Sequence, residues 1–259
     1  MSEFNLIKCP QFLDNAITPP AKEIGTTLGN IFFAIFSPIN YNVEKLKIKQ
    51  SENLKKYQSD IESELSKIPE NKLTEPKLSI VGPALEASKY YIEDSELRKM
   101  FAKLIASSMN SDNASKAHPA FVEIIKQLSP LDASNLDVIA KADGLPVAEY
   151  RAILKNKSSY ITLLSNVFLS NPNYSDLNLI VASIDNLSRL GLIKINYSTM
   201  INNPDVYSIF ETDPTYIGII DDIKKYSSIN KDYPYDSAKY MKGTVRLTSI
   251  GDYFCSICL

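Results

Sequence analysis

The chain has 259 residues, a formal net charge of -2, 44% apolar and 22% charged residues, with Tyr and Phe frequent and Trp absent. This is the composition of a folded protein rather than a disordered one, long enough for one large core with appendages or for two smaller domains. The small net charge and a supply of only four arginines (Arg98, Arg151, Arg189, Arg246) argue against a chain drawn as a whole to phosphate backbones or anionic lipid.

Three cysteines, Cys9, Cys255 and Cys258, do not make the dense, even framework of a small secreted scaffold. The opening MSEFNLIKCP lacks a charged segment followed by a long apolar one, so the cytoplasm is the expected location. Residues 11–23 read as a short helix or arm, with a helix-start signal at Thr18, Pro19 and Pro20. The stretch GTTLGNIFFAIFSPI follows, in which Leu28, Ile31, Phe32, Phe33, Ile35 and Phe36 are distributed around the whole of a helix. Its run from Leu28 to Ile39 is well short of the ~20 residues needed to cross hydrocarbon. Two readings stay open: a buried core or self-association helix, or an interfacial element meeting a membrane or partner. Gly25 and Gly29 form a GxxxG pair, which is a weak signal outside a true membrane span.

Beyond Pro38, the residues Val43, Leu46, Gln50, Leu54, Tyr57, Ile61, Leu65 and Ile68 recur at intervals of three and four, which predicts one long helix over about Asn40–Lys67 with a single apolar stripe. PENKLTEPKLSIVGP reads as a linker, extended over Leu78–Val81, with Pro83 at a first helical position. Helices are expected at about Pro83–Ile92 and Ser95–Met109, the second capped by Asp94 and apolar along Leu97, Met100, Phe101, Leu104, Ile105 and Met109.

HPAFVEIIKQLSP holds the chain's one histidine, and Pro119 behind it marks His118 as a helix-start residue whose ring can take a free backbone N–H. No nucleophile elbow or HxxxH spacing accompanies it. Ser129-Pro130-Leu131-Asp132 is a capping box that starts a further helix, to about Ala142. Cys255 and Cys258 form CSIC, half of a zinc site, and a fourfold set with Cys9 and His118 exists only by arithmetic. Glu93, Asp94 and Glu96 read as helix-start charges rather than a metal site. No catalytic, cofactor or metal residue is therefore assigned, and the expectation is of no enzyme, no cofactor and no small-molecule substrate.

In the last third, Ser175 or Asp176 opens a helix to Leu190, closed by Gly191 and followed by a strand over Leu192–Tyr197, with a second strand at Thr244–Thr248 before a final helix. Helix, "RLGLIKI" and a returning strand ending "LTSIG" resemble a winged helix, with residues 198–243 as a long insertion between the wing strands. The would-be recognition helix offers Asp176, Asp185 and only Arg189, so it lacks the base-reading forks of a major-groove helix.

The small, apolar N-terminal segment, the long charged helix, "VGPALEASKYYIEDSELRKMFAKLIASSMN" and "AHPAFVEIIKQLSPLDA" together resemble the bacterial abortive-infection alpha family, from about Ile24 to Asp132 and more weakly beyond. That resemblance implies a role in defence against phages, without an established reaction or catalytic residues to carry over. The expected architecture is mainly α: residues 1–75 hold the apolar segment and long helix, 76–129 a central helical bundle, and 130–259 a winged-helix-like α+β domain with a small antiparallel sheet. The expected mode of action is a non-enzymatic effector or sensor working through self-association, a protein partner or peripheral membrane contact, rather than nucleic acid. The alternative is a winged-helix DNA-binding regulator or an oligomeric adaptor.

Overall fold

The computed structural model describes residues 8–37, 44–155, 159–173 and 176–259. It is mainly helical with one small antiparallel sheet, in two compact units: residues 1–130 with 253–259, and residues 131–252.

In the first unit, α1 (Pro19–Phe36) starts with two prolines, whose missing N–H groups cost nothing at a helix start. The start signal at Thr18 thus opens an unbroken helix that runs through the apolar stretch, and only residues 8–18 form an arm before it. α2 (Glu44–Leu65) follows. Of its expected stripe, Gln50, Leu54, Tyr57, Ile61 and Leu65 are buried, while Val43 and the side chain of Leu46 lie outside the described residues.

The end of the stretch expected to be a linker is helical instead. Leu78–Val81 is not extended: α3 (Leu78–Ser88) takes it in and carries Pro83 inside the helix. The buried row Ile80, Val81, Ala84, Leu85 and Ser88 is spaced for one helical face, and its burial outweighs the hydrogen bond that proline forfeits. The helix also ends at Ser88, short of Ile92. α4 (Ser95–Ser108) forms as read, with the Asp94 carboxylate accepting the N–H groups of Glu96 and Leu97, both at 3.0 Å. Its face from Leu97 to Met109 is buried, and it contacts α2, α3 and the short α5 (Ala120–Ile125). Arg98 Nε donates to Asp60 Oδ2 at 2.6 Å and Nη1 to the Ile92 carbonyl at 3.1 Å, tying α4 to α2.

In the second unit, α6 (Pro130–Ala140) leads to β1 (Leu145–Leu154) and β2 (Tyr160–Val167), then α7 (Leu177–Arg189), β3 (Ile193–Asn196), α8 (Ser208–Glu211), α9 (Pro214–Ile229), β4 (Tyr235–Leu247) and α10 (Ser249–Cys258), whose end returns to the first unit. The sheet order is β2-β1-β4-β3, all neighbours antiparallel. The two expected strands do pair, Ile193 opposite Leu247 and Asn196 opposite Thr244. The returning strand begins at Tyr235, not Thr244, so the tract read as an insertion supplies most of β4 as well as α8 and α9. The hairpin β1–β2 is a further pair that a two-stranded wing does not contain.

Ala148, Tyr150 and Val167 of that hairpin pack with Leu177, Tyr207, Phe210 and Tyr216 in one apolar cluster. A second, polar cluster joins α6, α7 and the segment after β2. Asn135 Nδ2 donates to Ser183 Oγ at 2.9 Å, and Asn171 Nδ2 to Asn135 Oδ1 at 2.7 Å, all three residues buried. Gly191, at φ +74°, closes α7, and the next amide, Leu192, reaches back to the Leu187 carbonyl at 3.1 Å.

Candidate functional site

The structure divides the six candidate contact residues of α1 into two sets. Leu28, Phe32 and Phe36, one turn apart on one face, are fully buried, and the Phe32 and Phe36 rings lie 6.0 and 6.2 Å from the ring of Tyr57 on α2. Ile31, Phe33 and Ile35 are only half-buried. No charged side chain occurs on α1 beyond Glu23, so its C-terminal half combines a core face with an uncharged outer one.

The arm crosses the glycines. A Cβ on Gly25 would lie 1.9 Å from the Phe12 carbonyl oxygen, and one on Gly29 2.1 Å from that of Pro10. The GxxxG pair thus serves a close backbone approach within the chain, and Phe12 turns its ring edge onto Phe32 at 5.8 Å. The arm is held by two carboxylates. Glu62 Oε2 accepts the Leu13 N–H at 2.9 Å, and Glu70 accepts the N–H groups of Ile17 and Thr18 at 2.7 and 2.8 Å and the Thr18 hydroxyl at 2.5 Å. Glu70 therefore caps α1 from a distance, a duty that the Thr18 side chain does not perform for its own helix. The Thr18 hydroxyl, then the Ile17 and Thr18 amides, hold the Glu70 carboxyl below its ordinary value. Burial pushes the Tyr57 phenol far up, so it stays neutral at any ordinary pH.

Leu13 carries the strain of the turn. Its φ of 56° is a left-handed conformation that a branched side chain adopts at a cost of order 1–3 kcal/mol. A cavity of about 140 Å³ lies beside it, lined by Leu13, Ala16, Glu62, Leu65, Ile68 and Leu73 among others. The clasp is thus tight at the glycines and loosely filled at the end of α2.

His118 Nδ1 accepts the Ala120 N–H at 3.1 Å, the helix-start role expected of it. Cys9 Sγ lies 3.5 Å from Asn30 Oδ1, Cys255 is half-buried, and burial raises the Cys258 thiol well above its usual range. Among the described residues no three His, Cys, Asp or Glu side chains gather as a metal would require. Glu93 holds Lys49 Nζ at 2.6 Å and the Gln50 amide at 2.7 Å, and Asp94 caps α4. On α7, Asp176 caps its own helix, Asp185 accepts Asn166 Nδ2 at 2.5 Å, and the Arg189 guanidinium donates to Asn186 Oδ1 at 2.7 Å. No helix among the described residues is long and apolar enough to cross a membrane.

A helical protein with a small antiparallel sheet and an apolar helix held under its own arm is thus the class that fold and site define. A family model described as abortive infection alpha matches residues 49–258. The chain belongs to the abortive infection alpha family, and that membership suggests a role in phage defence. The match begins within α2, so it includes Tyr57, Glu62 and Glu70 and leaves α1 outside. No curated protein matches the chain. An uncharacterised protein from the hydrocarbon-degrading marine bacterium Alcanivorax borkumensis SK2 is similar over 57% of this chain and 94% of its own, at 12% identity and a TM-score of 0.33, a likeness too slight to carry an argument.

Proposed function

We propose that this protein contributes to phage defence through contacts rather than chemistry, with α1 as the contact element and residues 8–18 as the clasp that withholds it. The observation that carries this reading is the arm backbone lying where Cβ atoms of Gly25 and Gly29 would be, over a helix whose Leu28, Phe32 and Phe36 are fully buried and whose Ile31, Phe33 and Ile35 are half-buried. Release of the arm would uncover the Phe12-facing side of Phe32 and leave a helix that is uncharged and aromatic beyond Glu23 for another surface. Strain at Leu13 and the cavity beside it favour a clasp that opens at modest cost. The regulator reading has less support, because the exposed residues of α7 include a single basic group, Arg189, which its neighbour Asn186 engages, beside the acidic Asp185.

The test separates the two faces of α1. The triple variant Ile31→Ser, Phe33→Ser, Ile35→Ser should remain folded and lose phage protection measured by plating efficiency. Full protection by the folded variant would sink the reading. Flotation of the native chain and of Gly25→Ala with liposomes then tells membrane from protein: enrichment with lipid assigns the contact to a membrane, and none assigns it to a protein partner.

A further inference from the structure

We infer that the outer edge of β2 is a self-association surface, at which two copies of this chain pair β2 to β2 in antiparallel fashion and join their sheets. This inference is independent of α1. β2 is the last strand of the sheet, and no other strand among the described residues pairs with its outer edge. Its first four residues, Tyr160 to Leu163, are all exposed, with Tyr160 at 51%, Ile161 at 39% and Leu163 at 43%. An edge of this kind presents unpaired backbone donors and acceptors flanked by apolar side chains, and proteins ordinarily blunt it with charge, proline or shortness.

The opposite edge of the same sheet is blunted: β3 has only four residues, Ile193–Asn196, and carries the exposed Lys194. β2 is eight residues long and keeps regular register with β1 from Tyr160 to Thr162, its register shifts lying further on, between Thr162 and Val167. It contains no proline, and the chain has no charged residue between Lys157 and Asp176. That absence of charge points to a second copy as the occupant. In a two-fold pairing every residue meets the same segment running backwards, so any charge on β2 would be brought against its own image, and there is none. With the axis at Ile161, in the part of β2 whose register with β1 is regular, Ile161 falls opposite Ile161 of the second copy and Tyr160 opposite its Thr162. Branched and aromatic side chains then face one another, the pairs that best stabilise adjacent strands. The Arg151 guanidinium, 4.0 Å over the Tyr160 ring, already orders that ring from the β1 side.

Light scattering on the eluting full chain, repeated over a range of concentrations, tests this directly. The native chain should reach twice its 29.0 kDa, and Thr162→Lys and Leu163→Lys should each return it to a single chain with an unchanged circular dichroism spectrum. Both positions are exposed, so the substitutions cost the monomer little. Single cysteines at 161, 162 and 163, in a Cys9→Ser background, provide a measurement that does not depend on those lysines being tolerated. At least one should give a covalent dimer on mild oxidation. A native chain that is monomeric at every concentration, a dimer that both lysine variants retain, or an absence of cross-linking at all three positions would overturn the inference.

Discussion

Single side chains set how firmly the clasp is closed. Gly25→Ala adds one methyl group aimed at the Phe12 carbonyl oxygen, a backbone atom that cannot swing aside as a side chain would. The arm is therefore expected to lift while α1 itself gains helix propensity, and binding of a hydrophobic dye should rise without loss of helical circular dichroism. Glu70 adds a dependence on pH whose sign follows from its hydrogen bonds. Because its carboxyl is held below the ordinary value in the folded chain, its contribution is complete above the unfolded value and is lost as pH falls through the lower, folded one. The difference in thermal midpoint between the native chain and Glu70→Gln should be largest near neutrality and vanish in acid. In the second unit, Asn135→Ala would leave Ser183 and Asn171 without their buried partner, and is expected to cost about 1–3 kcal/mol in chemical denaturation.

At the scale of elements, the two faces of α1 predict opposite outcomes from chemically similar changes. Phe32→Ser removes a ring packed among Phe12, Phe36 and Tyr57, and should destabilise the chain by about 3–5 kcal/mol in urea denaturation. A change at Phe33 on the half-buried side should cost far less, which is why the test of function alters that side alone. The sheet holds a similar contrast between its edges. Four residues with a central lysine make β3 a poor template, while β2 offers an uncharged edge with four successive exposed residues. The hairpin β1–β2 had a legible signature, since Ala148, Tyr150 and Ala152 alternate with Glu149 and Arg151 at the period of a half-buried strand. The first half of β4, YDSAKYMKG, is too polar to announce a strand and is held by pairing with β1 along its whole length.

For the molecule as a whole, the residues that specify the architecture repeat at helical intervals, and those that specify the candidate site do not. The stripe from Leu54 to Leu65, the apolar face of α4, the Asp94 cap, the His118 and Pro119 start and the Gly191 stop could all be read from local spacing, because each depends on neighbours within a few turns. Family membership was legible too, since it rests on long stretches of such residues. Composition and periodicity by themselves determined a mainly helical protein with an uncharged apolar segment too short to span a bilayer. Only the tertiary structure decided which side of that segment is core, why Gly25 and Gly29 are glycines, and that Glu62 and Glu70 hold the arm. Those contacts join residues some fifty positions apart, Leu13 to Glu62 and Thr18 to Glu70, and a backbone carbonyl pressed against a glycine leaves no periodic trace in the chain. Local spacing encodes the faces of helices, while the partner of each face is chosen by packing across distances that spacing does not record.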